Sequence, residues 1–212
     1  MNNDHTATPV ALNAQVIVNC KAGGSCNGGN PVLVYRFAYH QGIPDSSCEQ
    51  YVAHNLDHKC GAIDMCKDCT WPPCPVGQTC QDKCWAVDYK HYFVSHYYLV
   101  VGAKRMKADI YKYGPITCGM EVTDKFEAYK GGIYSEFKLI PLINHEVSIV
   151  GWGKDEATGQ EYWIGRNSWG TYWGENGFFR IATGMHSLGL ELDCTAGIPT
   201  YEKPKDAVPF IQ

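Results

Sequence analysis

The sequence predicts an α+β fold in two parts, a helical, cysteine-rich half followed by a half built from antiparallel strands. Three observations lead to it. Nine of the eleven cysteines lie between Cys20 and Cys84, in a stretch too poor in periodic apolar residues to hold itself together without cross-links. Two short segments, after Asn30 and from Lys104, place apolar residues at helical spacing. From Ile116 onward, β-branched and aromatic residues run in strand-length segments between glycine turns.

Residues 1–15 carry little pattern, although Ala11 to Val18 turns apolar, and Cys20 to Asn30 is a Gly-rich loop. Asn30 is placed to cap a helix whose first position is Pro31, where the missing N–H costs nothing. Val34, Phe37 and Ala38 share one face of that helix, and Gly42 and Pro44 stop it. Cys48 to Cys84 is irregular. Tyr92, Phe93, Tyr97, Tyr98, Leu99 and Val100 then read as strand. Lys104 to Tyr113 is a short helix with Met106, Ile110 and Tyr113 on one face, closed by Gly114-Pro115. Strands follow at Ile133–Phe137, Glu146–Trp152, Glu161–Arg166 and Phe178–Ala182. The domain organisation is a first part over 1–90, a second over 91–194, and a tail over 195–212. Prolines at 199, 204 and 209 mark that tail as an extended strap or a disordered end.

A charged fraction of only 19%, with 22 glycines and 11 prolines, fits a loop-rich globular protein and argues against disorder or a coiled coil. A net charge of −4 gives no reason to expect nucleic acid or an anionic membrane as partner. No apolar run approaches the ~20 residues that span a bilayer, and the polar start from Met1 to Pro9 is not a signal peptide. The cysteines admit two readings. Cys66-Lys-Asp-Cys69 and Cys80-Gln-Asp-Lys-Cys84 have the spacing of a zinc knuckle. The favoured reading is a disulfide framework in an oxidising compartment, because the cysteines are too many for one tetrahedral site and Trp71-Pro-Pro-Cys74-Pro makes a rigid loop. Eleven is odd, so at least one thiol lacks an internal partner; about ten thousand pairings remain by counting alone.

Two segments carry chemistry. In Asn144-His145-Glu146-Val147-Ser148-Ile149-Val150-Gly151-Trp152-Gly153, a histidine opens an apolar strand. In Glu161-Tyr162-Trp163-Ile164-Gly165-Arg166-Asn167-Ser168-Trp169-Gly170, a strand delivers Asn167 to its end, followed closely by an indole. A lone histidine is most often a core or turn residue and a lone Asn a turn former. About twenty residues apart on adjacent strands, the two make a more specific pair. A neutral amide can accept the imidazole N–H and fix ring tautomer and orientation, and a neighbouring Trp shields that bond from water.

These blocks resemble the His and Asn blocks of the papain-like cysteine peptidases. The Cys26-Asn27-Gly28-Gly29 loop resembles the family's Cys-x-Gly-Gly loop. Ala38–Asp45, Cys66-x-x-Cys69, Tyr113–Gly119, Tyr129–Tyr134 and Ile143–His145 resemble one branch of that family, and the likeness runs from about residue 10 to about 196. It implies a papain-like two-domain fold with a disulfide-rich helical left half and an antiparallel, β-barrel-like right half. It implies His145 as general base, Asn167 as its orienter, Trp169 as its cover, and Gly28 and Gly29 as backbone partners of an extended peptide substrate. No metal or organic cofactor is implied.

The family's nucleophile stands in a Gln…Cys-Gly-Ser-Cys-Trp stretch that opens a long central helix, and this sequence has no such stretch. Cys84-Trp85 is the only Cys-Trp and lacks Gly-Ser before it. The resemblance therefore implies an incomplete left half, with thiolate, oxyanion-hole glutamine and central helix upstream. It also implies that Cys26 is unpaired, since its family partner lies in the missing stretch. The implied bridges are Cys20–Cys60, Cys48–Cys66, Cys118–Cys194, and most simply Cys69–Cys84 around Cys74–Cys80. The implied partner is a peptide or protein substrate and the implied location lysosomal or extracellular. The competing expectation is a catalytically inactive product that binds peptides or proteins through its Gly-Gly edge.

Overall fold

The computed structural model describes residues 10–70, 83–184 and 186–208. The chain divides into two compact units, one of the described residues through Tyr97 together with those from Ile198 on, the other Tyr98–Gly197.

The first unit opens with helix α1, Ala14–Asn19, which the sequence does not announce because polar side chains anchor it. Asn13 caps it, its Oδ1 accepting from the Val16 N–H. Gln15, almost fully buried, donates through Nε2 to Asn19 Oδ1 and the His54 carbonyl and accepts through Oε1 from the Val52 and Ala53 N–H groups. Every polar atom of that buried amide thus has a partner, which is what burial of an amide demands. A two-stranded hairpin follows, β1 (Gly24–Ser25) and β2 (Gly28–Gly29). Helix α2, Pro31–His40, starts as the Asn-Pro signal requires, with Asn30 Oδ1 accepting from the Val32 N–H at 2.9 Å. Its face of Phe37 and Ala38 is buried with Val16, Ala22, Ile43, Met65 and Val94. Beyond a 3-10 turn at Ala62–Asp64, β3 (Lys67–Thr70) pairs antiparallel with β4 (Lys83–Ala86).

Disulfides close Cys20–Cys60, Cys48–Cys66, Cys69–Cys84 and Cys118–Cys194. Both thiols of the zinc-knuckle spacing at Cys66 and Cys69 are thereby consumed. Cys26 is free and exposed. Cys74 and Cys80 lie outside the described residues.

The second unit is organised by one seven-stranded sheet. The elements from Phe93 on are, in chain order, β5 (Phe93–Val100, of which residues through Tyr97 count with the first unit), α3 (Ala103–Tyr113), β6 (Ile116–Met120), α4 (Asp124–Glu127), β7 (Ile133–Tyr134), β8 (His145–Lys154), β9 (Glu161–Arg166), β10 (Phe178–Ala182) and β11 (Cys194–Thr200, of which residues from Ile198 count with the first unit). The strand order is β5-β11-β6-β8-β9-β10-β7. The barrel-like right half expected from the sequence is corrected here to an open, mixed sheet. Its last strand, β7, has only two residues and, among the described residues, pairs in parallel with β10 alone, so the described sheet ends there. Phe137, placed in that strand by the sequence, instead makes an isolated bridge to Ser187. Cys194, opposite Cys118 on β6, begins a full strand. From Ile198 on, the chain is tied within the first unit: the Tyr39 hydroxyl donates to Asp206 and the Val208 N–H donates to His40 Nδ1.

The core of the second unit gathers α3 and the sheet around Phe126, Trp163, Phe179, Met106 and Leu190, all fully buried. Phe126 sits at its centre, its ring within 5.2–6.2 Å of those of Tyr129, Tyr134, Trp169, Trp173 and Phe179. Gly165 on β9 is glycine for a steric reason. A Cβ there would stand 2.1 Å from Phe179 Cζ, so the ring occupies that space. Among the described residues no helix is long and apolar enough to cross a membrane.

Iodoacetamide applied without reductant should modify Cys26 and spare the eight cysteines of these four bridges, as read by peptide mapping. Phe126→Ala should lower the unfolding free energy by about 3–5 kcal/mol, seen as a fall in urea midpoint at unchanged slope.

Candidate active site

His145 opens β8 opposite Met120 on β6. The residue before it is clamped. Asn144 donates its backbone N–H to the Met120 carbonyl, its Oδ1 accepts from the Val122 N–H at 2.7 Å, and its Nδ2 donates to the Val122 carbonyl at 3.2 Å. An amide bonded in both directions to one backbone unit fixes where the strand starts, and with it the root of the imidazole.

Asn167 leaves the end of β9 and donates its backbone N–H to the Gly177 carbonyl at 2.9 Å. Its side chain is buried, 8% exposed, and Oδ1 accepts from the Ser168 N–H at 2.8 Å. That bond decides two assignments. A backbone N–H can only donate, so the atom facing it is the amide oxygen. The same oxygen lies 2.9 Å from His145 Nε2, so that nitrogen must carry the proton. The neutral ring is then held as the Nε2–H tautomer, with the lone pair of Nδ1 left for chemistry.

Trp169 covers this pair, its ring 5.0 Å from the imidazole at 35°. Trp173 holds Trp169 edge to face at 5.0 Å and is itself fixed by a bond from its indole N–H to the Glu127 carbonyl. Trp173 packs on Phe126 at 5.3 Å. The imidazole is thus set by an amide on its Nε2 side and by an aromatic stack on its face.

Of the residues singled out from the sequence, His145, Asn167 and Trp169 come together in the second unit. Gly28 and Gly29 lie in the first unit, on exposed β2. A Cβ on Gly29 would meet the Gly23 carbonyl oxygen at 2.6 Å, so this glycine serves the hairpin's own close approach, whereas Gly28, at φ 115°, faces open space. Sequence reasoning missed Asn144, Phe126 and Trp173 as supports. A signal existed for two of them: Asn144 directly precedes the histidine, and Trp173 follows three residues after the block that carries Asn167. Phe126 carried none. Among the described residues no three His, Cys, Asp or Glu side chains are grouped as a metal site. The arrangement supplies an oriented base that can share a proton with a nucleophile placed at Nδ1.

A sequence profile for the family described as "Papain family cysteine protease" matches residues 1–198. Cathepsin Z of Onchocerca volvulus is 42% identical over 199 residues, covering 90% of this chain and 61% of its own length. Cathepsin B-like protease 1 of Arabidopsis thaliana is 29% identical over 203 residues, covering 90% of this chain and 50% of its own. The chain spans about half to three-fifths of the length of these relatives. Among solved structures, proCathepsin B S9 from Trypanosoma congolense matches with a TM-score of 0.70 at 27% identity, over 92% of this chain and 62% of that one. The bromelain protease from Ananas comosus, solved in complex with the E64 inhibitor, shares the fold with a TM-score of 0.70 at 23% identity, over 92% and 80% of the two chains.

Asn167→Ala should release the ring. Nitrogen-15 imidazole spectra of His145 should change from a single Nε2–H form to a mixture of tautomers, with the β8 backbone shifts unchanged.

Proposed function

The chain belongs to the papain family of cysteine proteases, and on that premise we propose that it carries the base and orienter of a cathepsin Z-type (cathepsin X) peptidase, which hydrolyses peptide bonds through a Cys-His-Asn site. The observation that supports this reading most is the Asn167 oxygen pinned between the Ser168 N–H and His145 Nε2, which makes Nδ1 the unprotonated nitrogen of the neutral ring. A thiolate beside Nδ1 forms an ion pair with the imidazolium and stays ionised near neutral pH. Its sulfur attacks the scissile carbonyl carbon, and the C–N bond breaks as His145 passes the Nδ1 proton to the leaving amine. His145 then takes a proton from water, whose oxygen adds to the thioester carbonyl carbon; the C–S bond breaks, releasing the acid and restoring the thiolate–imidazolium pair. Gly28 and Gly29 offer backbone groups to the extended peptide.

None of the eleven cysteines stands in a Cys-Gly-Ser-Cys-Trp context, and we place the thiol outside these 212 residues. On this reading the chain alone is inactive. Its substrates are peptides or proteins, and its four described disulfides suit the lysosome or the extracellular space. A second reading, a non-catalytic peptide-binding product, draws on the exposed Gly-Gly hairpin.

Joined to a segment bearing Gln…Cys-Gly-Ser-Cys-Trp, the chain should hydrolyse fluorogenic peptides. His145→Ala should then lower kcat/KM by about 10²–10⁴-fold. Hydrolysis by the 212 residues alone, or hydrolysis indifferent to His145→Ala, would overturn the assignment. Peptide binding without hydrolysis in the joined protein would favour the second reading.

A further inference from the structure

Glu146 follows the imidazole, and strand alternation turns it to the opposite face of β8 from His145. The proposed chemistry makes no use of it. In the β6–β8 register it lies across from Gly119. A Cβ built on Gly119 would stand 3.3 Å from Glu146 Oε1, 3.2 Å from Asp193 Oδ2 and 2.6 Å from Ile143 Cγ2. Two carboxyl oxygens therefore converge over one glycine, beside an isoleucine. Glu146 Oε2 is buried and has no hydrogen-bond partner among the described residues. None of the ion pairs among the described residues includes either acid.

We propose that Glu146 is a proton switch on the strand that carries His145: uncharged, it packs beside Asp193 and keeps the entry of β8 in register; ionised, it repels Asp193 and draws water between β6 and β8. The groups that meet it come from three directions. Gly119 on β6 has no side chain, and Ile143, on the segment entering β8, is apolar. Asp193, exposed just before β11, is the charged group acting on it. Burial first, and the Asp193 charge second, push the Glu146 carboxyl from its ordinary value up to about 7. The folded chain therefore keeps a proton that the unfolded chain has already released at mildly acidic pH. Stability from this group is intact below the ordinary carboxylate range and is lost as pH rises from there to about 7. The inference rests on strand geometry and stands whether or not the site cleaves peptides.

The test compares the full chain with its Glu146→Gln and Asp193→Asn variants by thermal unfolding and by backbone hydrogen exchange at pH 5 and pH 8, corrected for intrinsic rates. The parent should lose about 3–6 °C in Tm across that interval, and its amides at 145–149 should lose about tenfold protection. Glu146→Gln should abolish both changes and Asp193→Asn should reduce them. A carbon-13 titration of the Glu146 carboxyl reads the proton directly. A midpoint in the ordinary carboxylate range overturns the proposal. So does a pH dependence that survives in Glu146→Gln, or a parent in which β8 is already unprotected at pH 5.

Discussion

The constraint on which the second unit depends is the contact of aromatic rings around Phe126. Rings packed edge to face have few alternative arrangements at the same density, so each fixes its neighbours. Phe126 seats Trp173, Trp173 holds Trp169, and Trp169 lies over His145. Two hydrogen bonds support the stack: the Trp173 indole N–H donates to the Glu127 backbone carbonyl, and the Phe126 backbone N–H donates to the Thr123 side-chain hydroxyl that caps α4. The imidazole is therefore positioned by the interior of its unit as much as by the strand it begins. That arrangement suits a base that must present one nitrogen in one direction.

The two units are held by different physics. The second has a large apolar core and one described disulfide, joining residues 76 apart in sequence on adjacent strands. The first has a much smaller core, and three of the described bridges lie in it. Its remaining order comes from amides. Asn13, Gln15 and Asn19 reach from α1 to backbone groups of the 45–64 loop. Where too little apolar surface is available, covalent links and saturated polar contacts take over the task of restricting the chain.

This difference explains what could be read in the sequence. Apolar periodicity reports apolar packing, so β9 and β10 were placed to the residue, and the helix ending at Tyr113 to within one. Asn30-Pro31 announced α2 because capping is local chemistry. α1 was missed because its anchoring residues are buried amides, which carry no periodicity until their partners in the distant loop are known. The sheet's openness was also hidden, since it depends on how short β7 is and on its parallel pairing with β10, a contact between segments some 47 residues apart. At the site, His145, Asn167 and Trp169 could be named from two motifs. The clamp at Asn144 and the stack behind Trp169 required coordinates, because an Asn beside a His and a Phe in a short helix have many ordinary uses.

The ring of Phe179 filling the space above Gly165 has a consequence for descent. A side chain at 165 is tolerable only if the ring at 179 is first made smaller, and a smaller residue at 179 leaves a void beside Phe126 and Trp173. Each single step passes through a less stable protein, so the two positions are bound to change together or not at all. Over long divergence they should be inherited as one character, and a lineage that breaks the pair should carry a repacked floor beneath its histidine.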